Sequence, residues 1–455
     1  MERPDMGHYV PHTDAEVAAM LAELGLADLD ELFEMVPAAL RLAGGLDLSP
    51  GLAEADVVAE LDRLAALNRS GRDLVCFAGG GAYDHDIASV TRHLASRSEF
   101  VTSYTPYQPE VAQGVLQALF EYQTVVARLA GLPIANASLY DGATAAVEAV
   151  NLAVAATGRC TVWVSGGLPP HWREVLETLA KGPGHRLVTS PLRDGLTDWA
   201  AAGQDDDPPA ALLVASPNYL GALEDLRAAR AVADQHGALL IGAFDPVRVS
   251  LIRSPGACGA DVAVGEGQPL GTPLSFGGPY LGLFACRGEL VRRIPGRLVG
   301  RTVDTEGRAA YVTTLRAREQ DIRRQKALSN ICTNQTLIAV AFLVQLSWLG
   351  PSGLAEVATR SARAARYARE ALLAIEGVTP LASAPTLGEF ALRLPASPHA
   401  VVERMADAGF LAGLPVGLEG GAVTDGDDGL LVAVTEKRTR SEIDCFVATL
   451  EKVLP

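Results

Sequence analysis

Apolar residues recur along this chain with two different periods. Between residues 14 and 67 the spacing is three to four: "TDAEVAAMLAELGL" puts apolar side chains at 17, 20, 21 and 24 behind a Thr13/Asp14 cap, and "DLDELFEMVP" and "SPGLAEADVVAELDRLAALN" continue it. That spacing makes one face of a helix apolar and predicts a helical arm over residues 1–67. From about residue 70, short apolar runs alternate with helical stretches: "DLVCFAGG", "NASLYDGATAAVEAVNLAVAA", "RCTVWVSG", "HWREVLETLA", "HRLVTS", "AALLVAS", "LEDLRAARAVADQHG", "ALLIGAFD", "ADVAVGE" and "YLGLFACR". Strand and helix alternating at this spacing predict a mostly parallel sheet with helices on both faces, a large α/β domain over 68–330.

From 313 onward long helical stretches are expected, "REQDIRRQKALSN" as a basic helical segment among them. The longest apolar run, "TLIAVAFLVQLSWLG" at 336–350, carries Gln345 and Ser347 and stops at Pro351, short of the roughly 20 residues a bilayer span needs. It reads as a buried helix, not a membrane anchor. After it, "FALRLPA", "PHAVVERMADAG", "GLLVAVTE" and a final helix "RSEIDCFVATLEKV" predict a small C-terminal α/β domain over 331–455.

Composition narrows the function. With 49% hydrophobic and 20% charged residues over 455 positions, the chain is a folding globular sequence. Its formal charge of −16 repels a phosphate backbone, and nucleic acid is not an expected partner. The first residues, "MERPDMGHYVPHTDAE", lack the basic flank and apolar stretch of a secretion signal, so the cytoplasm is the expected location. The six cysteines form no C-x-x-C pair and the eight histidines no H-E-x-x-H pattern, so no metal is expected. Lysine is scarce: only Lys181, Lys326, Lys437 and Lys452 occur.

Ligands of parallel α/β sheets collect at the carboxyl ends of strands, where loops and helix N-termini converge. Three features fall there. "SLYDGATAAVEAV" enters a helix: Asp141 can cap it, while Gly142, Ala143 and Thr144 would offer backbone N–H groups and a hydroxyl to an anion such as phosphate; a plain capped helix start fits as well. "ALLIGAFDP" ends an apolar strand on Asp245, placed either to pair with a protonated pyridine nitrogen or to serve as a turn carboxylate before Pro246. The third is "GEGQPLGTPLSFGGPYLG", a glycine-rich turn where a cofactor enzyme would carry an amine, with Gln268 in its place. A glutamine amide nitrogen is delocalised into its carbonyl and cannot form an imine. None of the four lysines sits at a strand's carboxyl end, so the chain is expected to be unable to run such chemistry alone. "FAGGGAYDHD" suggests dinucleotide binding, but the spacing needs glycine at 84, which is Asp, and the fingerprint fails.

"SRSEFVTSYTPYQPEVAQGVLQALFEYQTVVARLAGLPIANASLYDGATAAVEA" closely resembles the signature of the glycine cleavage system P-protein, in its form split into two subunits. "ADVAVGEGQPLGTPLSFGGPYLGLFA", "REQDIRRQKALSNICTNQ" and "VTEKRTRSEID" are similar to further blocks of the first subunit, and together they cover nearly the whole chain. The resemblance implies a fold-type I pyridoxal-phosphate architecture with a mostly parallel seven-stranded sheet. It also implies glycine decarboxylation with subunit 2, which would hold pyridoxal phosphate covalently, and transfer of the aminomethyl group to lipoylated H-protein, in an αβ or (αβ)2 assembly. Gln268 would then stand at the partner's lysine position, with Ser138, Asp141, Gly142, Ala143, Thr144 and Asp245 as a vestigial or partial cofactor site. "TSYTPYQPE" is expected to be extended ahead of a helix starting near Val111, with Tyr104, Thr105, Tyr107 and Gln108 completing the partner's site or packing the interface. An autonomous pyridoxal-phosphate enzyme and a catalytically silent scaffold are the competing readings.

Overall fold

The computed structural model describes residues 11–42, 46–71, 73–103, 105–202, 207–275 and 277–455. The chain forms two units, Met1–Asn68 and Arg69–Pro455.

In the first unit, the helix Asp14–Leu24 opens on a capping box: Thr13 Oγ1 accepts from Glu16 N–H, and the Glu16 carboxylate accepts from Thr13 N–H. Gly25 ends it in the left-handed conformation at φ 72°. A second helix, Glu54–Ala65, has no buried residue, and Leu24, Met35, Leu40, Leu48 and Leu61 are all exposed. Among the described residues of this unit Leu21 is the buried apolar side chain, and local hydrogen bonds and caps define its helices.

The second unit is built on seven strands: β1 (Ile134–Ala135), β2 (Thr161–Ser165), β3 (Arg186–Ser190), β4 (Ala211–Ser216), β5 (Leu239–Phe244), β6 (Val262–Glu266) and β7 (Gly282–Cys286). Their order is β1-β7-β6-β5-β4-β2-β3. The five from β6 to β3 run parallel, and β7 pairs antiparallel with both β6 and β1. Every residue of β2, β4, β6 and β7 is buried, as expected of strands covered on both faces. The period of two sorts their side chains. Leu213 and Ala215 join the core under the helix Gly142–Thr157, while Leu212 and Val214 face the helix Leu226–His236. Further along that side, Phe244 of β5, Ala263 of β6, and Leu283 and Ala285 of β7 pack with the helix Gln113–Ala130 and with Ala339 and Phe342.

The apolar run at 336–350 is helical, within Thr336–Leu372. Gly350 interrupts it at φ 61°, ψ −179°, and Pro351 restarts it, the missing N–H costing nothing in a first turn. Gln345 in this run is buried: its Oε1 accepts from Thr91 Oγ1 at 2.6 Å and its Nε2 donates to the Asp86 carbonyl at 3.1 Å. Downstream, a four-stranded antiparallel sheet of Thr379–Pro380, Glu389–Arg393, Leu414–Glu419 and Ala422–Ala433 packs with the helices Pro398–Asp407 and Arg440–Val453.

Three local expectations differ from the structure. "DLVCFAGG" does not join the large sheet; its Val75–Cys76 pairs parallel with Phe410–Leu411, and Phe77 stacks on Phe446 in the C-terminal core. "REQDIRRQKALSN" is not a continuous helix, since helical turns are confined to Gln320–Arg323 and Arg324–Lys326. Arg324 sits at φ 53°, and long-range side-chain bonds such as Arg318 to the Ile294 carbonyl hold the segment instead of an i to i−4 ladder. The segment expected to be extended ahead of the next helix turns instead, the Val111 and Ala112 N–H groups both donating to the Gln108 carbonyl before the helix starts at Gln113.

Candidate cofactor site

The helix entrance at Asp141, the end of β5 at Asp245 and the end of β6 at Glu266 and Gln268 meet at the carboxyl edge of the sheet. Asp141 caps the helix, its Oδ1 accepting from Thr144 N–H at 2.7 Å. The Gly142 N–H donates at 2.9 Å to Glu266 Oε2, while Glu266 Oε1 accepts from the N–H groups of Gln268 and Leu281, each at 2.9 Å. The carboxyl group of Glu266 therefore occupies the place an anion would take at this helix N-terminus. Ala143 is buried in the sheet-facing core. A Cβ added to Gly142 would stand 2.1 Å from Trp172, so the indole closes the cradle from above.

Gln268 is 1% exposed. Its Oε1 accepts from Tyr83 N–H at 2.9 Å, and its Nε2 donates to the carbonyls of Tyr83 at 3.1 Å and Thr272 at 2.8 Å. The amide thus pairs with both backbone groups of Tyr83, as a neighbouring strand would. Asp245 is equally committed: Oδ1 accepts from the N–H groups of Val247 and Arg248, and Oδ2 takes Arg248 Nη1 at 2.8 Å. The Arg248 guanidinium lies 4.2 Å from the Tyr83 ring centroid. Tyr83 donates its hydroxyl to Glu389 Oε2 at 2.9 Å, and Glu389 Oε1 accepts from Gly80 N–H at 2.7 Å. Gly79, the first glycine of "FAGGG", serves this approach, since a Cβ there would meet Glu389 Oε1 at 2.2 Å. Burial pushes the carboxyl of Glu389 up and the phenol of Tyr83 far up, which keeps the phenol neutral.

What remains is a cavity of about 60 Å³ lined by Tyr83, Trp172, Asp245, Arg248 and Glu266 among others, room for about two waters at ~30 Å³ each. Pockets for small-molecule cofactors span roughly 300–1,000 Å³. The residues present therefore do not fit pyridoxal phosphate: no amine is at hand, the anion cradle holds Glu266, and Asp245 faces an arginine.

Ser138 lies in a separate cluster. It is fully buried at φ 118°, a conformation rare for a side-chain-bearing residue, and its Oγ accepts from Gln335 N–H at 3.1 Å and Asn334 Nδ2 at 3.2 Å. Tyr107 reaches the same asparagine, its hydroxyl donating to Asn334 Oδ1 and lying 2.8 Å from Thr333 Oγ1, with the Arg297 guanidinium 4.9 Å from its ring centroid. Thr105 and Gln108 are exposed; Tyr104 lies outside the described residues. Sequence reasoning missed Glu266, Arg248, Tyr83, Glu389 and Asn334; each has a partner distant in the chain, although Arg248 also pairs with Asp245 and Glu266 with Gln268 nearby.

Burial, against three N–H donors that pull the other way, raises the Glu266 carboxyl to about 8. The folded state then holds this proton more tightly than the unfolded chain, where the group titrates near 4.5. Its stabilising effect is complete below that value and is lost as pH rises toward 8, a swing on the order of 3–5 kcal/mol at about 1.36 kcal/mol per unit. Denaturant unfolding between pH 5 and 9 is expected to show this fall, and Glu266→Gln is expected to flatten it. Equal slopes for the two proteins would remove Glu266 as the source.

The glycine cleavage system P-protein family model matches residues 7–450. A Moorella thermoacetica protein named as a probable glycine dehydrogenase (decarboxylating) subunit 1 is 48% identical over 450 residues, covering 98% of this chain and 99% of that one. A Prosthecochloris aestuarii protein of the same name is 46% identical over 444 residues, covering 97% and 99%. Among solved structures, an inhibitor-bound glycine decarboxylase (P-protein) of the glycine cleavage system superposes with a TM-score of 0.90 at 46% identity, covering 98% of this chain and all of that one. The fold is that of the fold-type I pyridoxal-phosphate enzymes.

Proposed function

The chain belongs to the glycine cleavage system P-protein family, and from that premise we propose that it is the lysine-lacking subunit of a two-chain glycine decarboxylase. Subunit 2 holds pyridoxal phosphate covalently. The pair removes carbon dioxide from glycine and passes the aminomethyl group to the lipoyl arm of H-protein, in the cytoplasm. The observation that carries this reading is Gln268: the residue at the amine's place is buried and spends its amide on Tyr83 and Thr272. A cavity of about 60 Å³ argues the same way.

In this reading the chain's own site is a structural plug, and its contribution to chemistry lies at the surface. Thr105 and Gln108, exposed on either side of Tyr107, face the companion's site. Tyr107 acts as a positioning residue, because its hydroxyl is engaged by Thr333 and Asn334. Tyr104 belongs to the same segment. The exposed leucines of the arm favour an assembly, αβ or (αβ)2, since apolar surface of that kind marks protein interfaces.

Co-purification with the companion subunit, followed by glycine-dependent carbon dioxide exchange with lipoylated H-protein, tests the proposal. Exchange is expected from the pair and from neither chain alone. An imine trapped by borohydride on this chain by itself would overturn it.

A further inference from the structure

Charge is unevenly spread over this acidic protein. Between Arg287 and Ile331 stand eleven arginines and lysines against five aspartates and glutamates, in a chain of net −16. Folding gathers part of that excess into one cleft of about 640 Å³, lined by Arg292, Arg293, Arg318, Arg323 and Lys326 with Leu315 and Leu328 between them. The nearby acids are already engaged: Glu319 pairs with Arg297, Asp321 with Arg316, and Glu289 lies 3.6 Å from Arg287. Among the described residues, Arg292, Arg293, Arg323 and Lys326 make no ion pair, and all four are exposed. Arg318 gives Nη1 to the Ile294 carbonyl at 2.5 Å, while its Nε and Nη2 are buried without a hydrogen-bond partner. A guanidinium left in that state requires an acceptor.

We propose that this cleft docks an acidic face of the lipoyl-bearing carrier protein, an inference that rests on the family reading of the preceding section. Two features favour a protein over a small anion or a nucleic acid. Leu315 and Leu328 are 41% and 46% exposed in the cleft. A free phosphate has no use for these side chains, whereas arginine interleaved with exposed apolar residues is a protein interface composition. The molecule's net charge of −16 repels polynucleotides. Four exposed unpaired cations steer an acidic partner into contact and let it leave again, which suits a carrier that must visit and depart.

The test uses the two-subunit enzyme. Arg292→Glu, Arg293→Glu, Arg323→Glu and Lys326→Glu are combined, leaving Arg318 and its bond to Ile294 in place. The carrier's KM in glycine-dependent carbon dioxide exchange is expected to rise roughly tenfold or more, with kcat retained, and added salt is expected to matter less than for the wild type. With free lipoic acid as acceptor the KM shift is expected to be absent. An unchanged carrier KM, or loss of the companion subunit on purification, overturns the docking assignment. Saturable pyrophosphate binding that the variant loses while its carrier KM stays put reassigns the cleft to a small anion. No exchange by the wild-type complex with either acceptor overturns the family reading itself, and the docking proposal with it.

Discussion

Replacing Arg248 with methionine is expected to lower the free energy of unfolding by about 3–5 kcal/mol, the loss typical when one partner of a buried ion pair is removed. The guanidinium is 6% exposed and pairs with Asp245 at 2.8 Å. It also lies over the Tyr83 ring and holds down the carboxyl of Glu389. Methionine fills similar volume, so packing is largely kept while Asp245 and Glu389 lose their cation. Arg248→Lys is expected to recover only part of the loss, because an ammonium on a flexible stem cannot reproduce the planar fork. Urea denaturation of the three proteins measures this; a loss below about 1 kcal/mol for the methionine variant would mean that the cluster does not depend on its arginine.

The second large effect is expected at Gln268. In Gln268→Leu the Tyr83 N–H and the carbonyls of Tyr83 and Thr272 lose their side-chain partner in a region closed to water. At about 1–3 kcal/mol for each of these three buried groups left unsatisfied, a drop of at least about 3 kcal/mol follows. Gln268→Lys is the more informative change. A lysine can donate to the two carbonyls but cannot accept from Tyr83 N–H, and no space opens for a cofactor ring. The variant is expected to be less stable than the wild type and to form no borohydride-reducible adduct with pyridoxal phosphate. A yellow protein loaded one to one would show that only the amine was missing from the site.

Much of this was visible in the sequence, for identifiable reasons. Strands β2, β4, β5 and β6 are continuous apolar runs because both faces of the sheet are covered, and such runs stand out against their polar turns. Gln268 stood out because lysine is so scarce. The plug around it was not legible. Gly80 and Glu389 are 309 residues apart, and Tyr83 and Gln268 185 apart, so nothing in either neighbourhood announces the contact. The run of glycines at 79–81 does not make a nucleotide fingerprint; Gly79 admits the close approach of Glu389, and Gly80 that of Leu414 and Tyr219. The stretch from 313 to 335 was misjudged because its charged residues are compatible with a helix, while the bonds that shape it come from Ile294, Ser138 and Arg297.

The arm has a consequence for the cell that makes this protein. Exposed leucines at 24, 40, 48 and 61 leave each newly synthesised copy adhesive toward others of its kind. Overproduction without its mate is expected to end in inclusion bodies, which makes balanced output of the two polypeptides a demand of translation as well as of metabolism.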